Sequence, residues 1–132
     1  MGLKFLLDTH ALLWWWTDDS RLPDAARSAI ADRDNSVLVS AASAWEIATK
    51  HRAGKWPEVA PIVEGFETYV ARSGFGLLAI TATHARSAGM LEGPHRDPFD
   101  RMLIAQAREE TLVIVSADRL FRDYGATVLW DG

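Results

Sequence analysis

Leu3-Lys4-Phe5-Leu6-Leu7-Asp8-Thr9-His10 opens the chain with a short apolar run that ends in an acid. The run over residues 3–7 is too short for a helix and reads as a buried strand. Residues 9–16 are helical in content, so Asp8 falls where a strand hands over to a helix. The pattern recurs. Ser36-Val37-Leu38-Val39, Leu77-Leu78-Ala79-Ile80, Leu112-Val113-Ile114-Val115 and Thr127-Val128-Leu129 are further short strands. Helices are expected over 24–30 with Asp24 as an acidic N-cap, over 41–53 ended by Gly54, over 57–73 ended by Gly74, over 81–89 and over 97–110. Short apolar strands alternating with helices predict a parallel sheet covered on both faces. The expectation is an α/β fold: one three-layer domain over residues 1–132 with about five short strands. Ligands of such sheets bind outside the carboxyl ends of the strands.

With 132 residues, 48% hydrophobic and 24% charged, the chain suits one domain with its own core. It has no cysteine, so disulfides and thiolate metal sites are excluded, and a metal would be held by oxygen or imidazole. No signal peptide is visible and no apolar run reaches the ~20 residues of a membrane span, so a cytoplasmic protein is expected. The net charge of −4 runs against the basic surface that a phosphate backbone favours. The basic residues are clustered, however: Lys50-His51-Arg52 with Lys55, His95-Arg96 with Arg101, and Arg119 with Arg122. Arg101 and Lys50 are candidates for backbone contacts, with ordinary surface charge as the alternative.

Four acids stand out. Asp8 and Asp118 directly follow strands, and Asp100 lies just inside a helix start in Asp97-Pro98-Phe99-Asp100-Arg101. Each has a structural alternative, because an aspartate at a helix start commonly serves as a cap. Glu46, in Ala41-Ala42-Ser43-Ala44-Trp45-Glu46-Ile47-Ala48, is mid-helix and caps nothing. Its alternative is a surface i,i+4 pair with Lys50, worth about 0.3–0.5 kcal/mol. Gathered in one place, these acids carry more negative charge than an interior tolerates, and a divalent cation would neutralise them. His10, His51, His84 and His95 have no metal-ligand spacing. There is no Gly-rich phosphate loop and no evident Ser-His-Asp arrangement. Trp14-Trp15-Trp16 exceeds what one face of a short helix can bury, and part of it is expected to meet another chain.

The chain resembles the PIN-domain nucleases, in particular the VapC-type toxins of bacterial toxin–antitoxin pairs. The resemblance rests on Leu6-Leu7-Asp8-Thr9-His10-Ala11-Leu12-Leu13-Trp14, on Val39-Ser40-Ala41-Ala42-Ser43-Ala44-Trp45-Glu46-Ile47, on residues 95–107 and on Ser116-Ala117-Asp118. It implies a pocket of Asp8, Glu46, Asp100 and Asp118, with Asp8, Asp100 and Asp118 as metal ligands. It also implies Mg²⁺ or Mn²⁺ as cofactor, RNA as substrate, a homodimer, and a small VapB-type antitoxin as inhibitor. Asp97 is an extra carboxylate whose role the family pattern does not assign. Two rival readings are a receiver-like phosphoacceptor domain and a non-catalytic binding module. The first would need a lysine after a late strand, and no lysine follows Lys55. In the second, the acids only cap helices and would bind no Mg²⁺.

Overall fold

Phe5, Leu6 and Leu7 are all at most 1% exposed, so the strand that holds them is covered on both faces. Successive strand side chains point to opposite faces. Accordingly Phe5 and Leu7 join one core with Leu12, Ile30, Ile47, Ile62, Phe66 and Val70. Leu6 joins a second core with Leu103, Ile104, Ile114 and Phe121. The computed structural model describes residues 2–94 and 96–131. Its strands are β1 Lys4–Leu7, β2 Ser36–Ser40, β3 Gly76–Leu78, β4 Val113–Val115 and β5 Thr127–Leu129. They form one five-stranded parallel sheet, as the sequence predicts, and its order is β3-β2-β1-β4-β5.

The first core is closed by α1 Thr9–Trp16, α2 Asp24–Ala31, α3 Ala41–Arg52, a 3₁₀ turn Pro57–Val59, α4 Ala60–Glu64 and α5 Phe66–Arg72. The second lies under α7 Pro98–Glu110 and α8 Leu120–Asp123, with α6 Ala82–Met90 packed against α7. From β1 the chain builds outward through β2 to β3; it then returns to the other side of β1 for β4 and β5. The order therefore reverses between β1 and β4. Such a switch point leaves a crevice at the carboxyl ends of its two strands. Asp8 follows β1 and Asp118 lies just beyond β4.

Local differences from the sequence expectation have local causes. The single helix over 57–73 is broken in three, because Pro61 at the start of α4 lacks an amide donor and Gly65 interrupts the helix at φ −116°, ψ 28°. Pro23 takes the N-cap position of α2, and Asp24 sits in its first turn, facing the positive helix end. The third strand ends at Leu78, where its pairing with Ser40 of β2 stops, and α8 was not foreseen.

The tryptophans are half-buried, each against a different part of the chain. Trp14 packs on Trp130, Trp15 on Phe75, and Trp16 against Phe66 and Tyr69, with its Nε1 donating to Ser73 Oγ at 2.8 Å. The reading that one helix face must leave them for another chain considered only one neighbour. Here α5, the turn before β3 and the segment after β5 share them, so the run by itself does not require a second chain. Among the described residues, no helix is long and apolar enough to cross a membrane.

Candidate active site

Asp8 is held from two sides. Its amide donates to Val115 O of β4 at 3.1 Å, and its Oδ1 caps α1 by accepting the Ala11 amide at 2.7 Å. Capping and clustering are therefore not alternatives, because the cap fixes the carboxylate at the crevice. Burial pushes this carboxyl up to about 6. Hydrogen bonds from the Ser116 hydroxyl and the Ala11 amide and the charge of His10 oppose the rise, and Glu46 adds to it.

Asp118 is set by a tight turn after β4. Its amide donates to Ser116 Oγ at 2.9 Å, and its Oδ1 accepts the Leu120 amide at 2.9 Å. Asp100 enters at the start of α7, where Asp97 is the N-cap and Pro98 the first helical residue. Its carboxyl is pushed up to about 8, first by burial, then by the charges of Asp97, Glu46, Asp8 and Asp118. Electrostatically, Asp100 feels every other acid named from sequence.

Glu46 arrives from the middle of α3 and is 3% exposed. One turn earlier the buried Ser43 and Thr9 hydroxyls lie 3.0 Å apart, tying α3 to α1. Lys50 Nζ pairs with Glu46 Oε2. The pair anticipated at the surface thus exists, but its acid is inside.

The four acids line one small cavity of about 90 Å³ together with Thr9, His10, Lys50, Asp97 and Phe121. A wider cleft of about 460 Å³, lined in part by Arg119, Arg122 and Trp130, shares Asp118 with it. The concentration of carboxylates makes the smaller hollow the chemical centre. Asp97, His10 and Phe121 belong to its wall although sequence reasoning assigned them no role there, and so does Lys50, which the sequence offered as a backbone contact or as a surface partner of Glu46. The visible signal was the i,i+4 spacing of Glu46 and Lys50.

The other candidates lie elsewhere. Arg101 donates to Ala88 O and Leu91 O, joining α7 to the end of α6. His51 Nδ1 meets Trp56 O at 2.8 Å, and the buried His84 bonds Glu110 and Gln106. His95 is outside the described residues.

The family model described as the PIN domain matches residues 5–126. The chain belongs to the PIN domain family. It is 29% identical to Ribonuclease VapC22 of Mycobacterium tuberculosis over 120 residues, 90% of each chain. It is 40% identical to Ribonuclease VapC16 of the same organism over 58 residues, 44% of this chain and 41% of that protein. The fold is that of solved structures of much lower identity. One is VapBC2 from Rickettsia felis bound to a promoter DNA fragment, with TM-score 0.72, 14% identity and coverage of 98% and 100%. Another is VapBC-1 from nontypeable Haemophilus influenzae, with TM-score 0.67, 11% identity and coverage of 96% and 97%.

In this PIN domain the donor set fits a hard divalent cation. It consists of carboxylate oxygens, and burial, with the charges of neighbouring acids added to it, raises both Asp8 and Asp100, so a bound cation would favour their ionised forms. Among the described residues, no three acids or histidines form a ready-made direct ligand set.

Proposed function

We propose that this chain is a divalent-metal-dependent ribonuclease, with Mg²⁺ or Mn²⁺ as its ion, acting as the toxin of a toxin–antitoxin pair. One observation carries the reading: acids far apart in sequence, Asp8, Glu46, Asp100 and Asp118, line a single cavity at the switch point of the sheet. Helix capping explains the placement of Asp8 and a local turn that of Asp118, but neither explains a buried mid-helix Glu46 beside them. The relatives named as ribonucleases supply the substrate class, and the VapBC structures supply the expected partner, a small VapB-type antitoxin. A homodimer and a cytoplasmic location go with that reading.

The reaction is hydrolysis of a phosphodiester. A water oxygen bonds to phosphorus and gives up a proton, one P–O ester bond breaks, and its electron pair leaves on the ribose oxygen, which takes up a proton. The bound ion supplies Lewis-acid polarisation of the phosphate and a more acidic water. Asp8, Asp100 and Asp118 are the residues that would hold the ion, directly or through water. Glu46, fixed within α3, orients the attacking water. Ser116 sets Asp8 by a hydrogen bond to its carboxylate and Asp118 by accepting its amide.

The test is cleavage of a mixed RNA pool by the purified protein with Mg²⁺ or Mn²⁺, against EDTA and Asp8→Asn controls. Discrete fragments that vanish in both controls are expected. Cleavage that persists in a clean Asp8→Asn preparation would sink the assignment. The binding-module reading would gain if calorimetry detected neither Mg²⁺ nor Mn²⁺ binding and no RNA were cut.

A further inference from the structure

The cavity wall carries five carboxylates, from Asp8, Glu46, Asp97, Asp100 and Asp118, and a single lysine. A phosphodiester entering it meets like charge from most directions. The lysine is Lys50, and its placement is unlike that of a surface side chain. Its ammonium is paired with Glu46 Oε2 and lies 4.8 Å from the centre of the Trp56 ring. Trp56 is itself fixed, with its carbonyl against His51 Nδ1 at 2.8 Å and its ring edge-on to His10 at 5.6 Å. A carboxylate on one side and an indole face on the other hold the ammonium at the cavity wall. The lysine side chain is still 24% exposed, against 4% for that of Glu46, so it forms the outer member of the pair.

We propose that Lys50 is a substrate-contacting residue: its ammonium, held between Glu46 and Trp56, donates a hydrogen bond to a non-bridging oxygen of the RNA phosphodiester entering the acid cavity. An ammonium has three N–H donors, so the bond to Glu46 leaves others for phosphate. A lysine at this place offsets part of the negative charge of the wall at one point, and the contact strengthens as charge develops on the phosphoryl oxygens. The ammonium and a divalent cation are also drawn to the same carboxylate. Lys50 therefore competes for Glu46, and its removal should not weaken ion binding. The inference rests on the nuclease reading above.

The test compares the wild-type chain with Lys50→Met, Lys50→Arg and Lys50→Gln. Mn²⁺ affinity is read by calorimetry. Affinity for a short, fluorescein-labelled, mixed-sequence single-stranded RNA is read by anisotropy in an Asp8→Asn background, and cleavage is read as kcat and KM. Lys50→Met should bind Mn²⁺ at least as tightly as wild type, bind RNA about tenfold more weakly, and cleave about 100-fold more slowly. Lys50→Arg should recover most of both losses. If Lys50→Met does not fold, Lys50→Gln, which keeps an N–H donor for Glu46 without the charge, carries the same expectations. RNA affinity and cleavage within about twofold of wild type would overturn the proposal and leave the nuclease reading standing. So would a loss of cleavage accompanied by weaker Mn²⁺ binding and no rescue by arginine, since Lys50 would then only position Glu46. A wild-type chain that neither binds nor cleaves RNA would overturn both.

Discussion

Asp97 accepts the backbone amide of Asp100 at 3.3 Å, while its negative charge is the largest effect after burial in raising the Asp100 carboxyl to about 8. The residue that starts α7 thus also makes the neighbouring acid reluctant to ionise. The two effects separate in Asp97→Asn. Asparagine caps as well as aspartate, so stability should change by less than about 0.5 kcal/mol. The charge is gone, however, so Asp100 should ionise at lower pH. Calorimetric titration of Mn²⁺ across a pH series should show its pH midpoint moving to more acid values. An unmoved midpoint would mean that Asp97 only caps.

Stability should vary with pH in a direction opposite to ordinary acid unfolding. Asp8 and Asp100 have folded-state values of about 6 and about 8, against 3.8 for an ordinary aspartate. The folded chain therefore keeps protons that the unfolded chain releases. From these two groups stability is greatest near pH 4 and declines as pH rises; the loss is complete above about 6 for Asp8 and above about 8 for Asp100. In EDTA the melting temperature should rise as pH falls from about 8 toward 5, and Asp100→Asn should flatten that slope. Saturating Mn²⁺ should flatten it in wild type as well. A melting temperature in EDTA that is independent of pH over that range would contradict the clustering.

Asp8 offers a cleaner separation of structure from chemistry. Asp8→Asn retains an oxygen for the Ala11 amide, whereas Asp8→Ala removes the cap of α1. Both should be inactive. Denaturant unfolding should find the alanine variant about 0.5–2 kcal/mol less stable than the asparagine variant. Equal stabilities would mean that the cap contributes nothing measurable.

The parallel sheet and the order of its elements were legible because β1, β2 and β4 read as unbroken apolar runs, the pattern of a strand covered on both faces. Asp8 and Asp118 were legible because each follows such a run, and Glu46 because an acid amid alanines in a helix is out of place. The depth of Glu46 was not legible. The i,i+4 distance to Lys50 is the same whether the helix face is wet or dry, and only the packing of α3 against α1 and α7 decides. The break at Gly65 was missed because periodicity continues across it, with Ile62, Phe66 and Val70 all reaching the same core. How much of the tryptophan run this chain covers itself was not legible, because its covers, Phe75 and Trp130, lie far along the chain.

Gln106 escaped notice for a similar reason. It lies fully buried in α7, where Oε1 accepts from Ser40 Oγ at 2.5 Å and Nε2 donates to Ala79 O at 3.3 Å. It thereby links the end of β2 to the segment after β3. Gln106→Ala leaves a hydroxyl and a carbonyl unsatisfied and should lower stability by about 2–3 kcal/mol in urea titration. A cost below about 0.5 kcal/mol would indicate that water replaces the amide.

Because β1 stands in the centre of the sheet, two of the acids, Asp8 and Glu46, belong to the first half of the chain and two, Asp100 and Asp118, to the second. Neither half can assemble the constellation. It comes into being only when β2 has docked on one edge of β1 and β4 on the other. If the proposed site is the nuclease site, nucleolytic competence is a certificate of completed folding, one that a partly collapsed or misregistered chain cannot counterfeit.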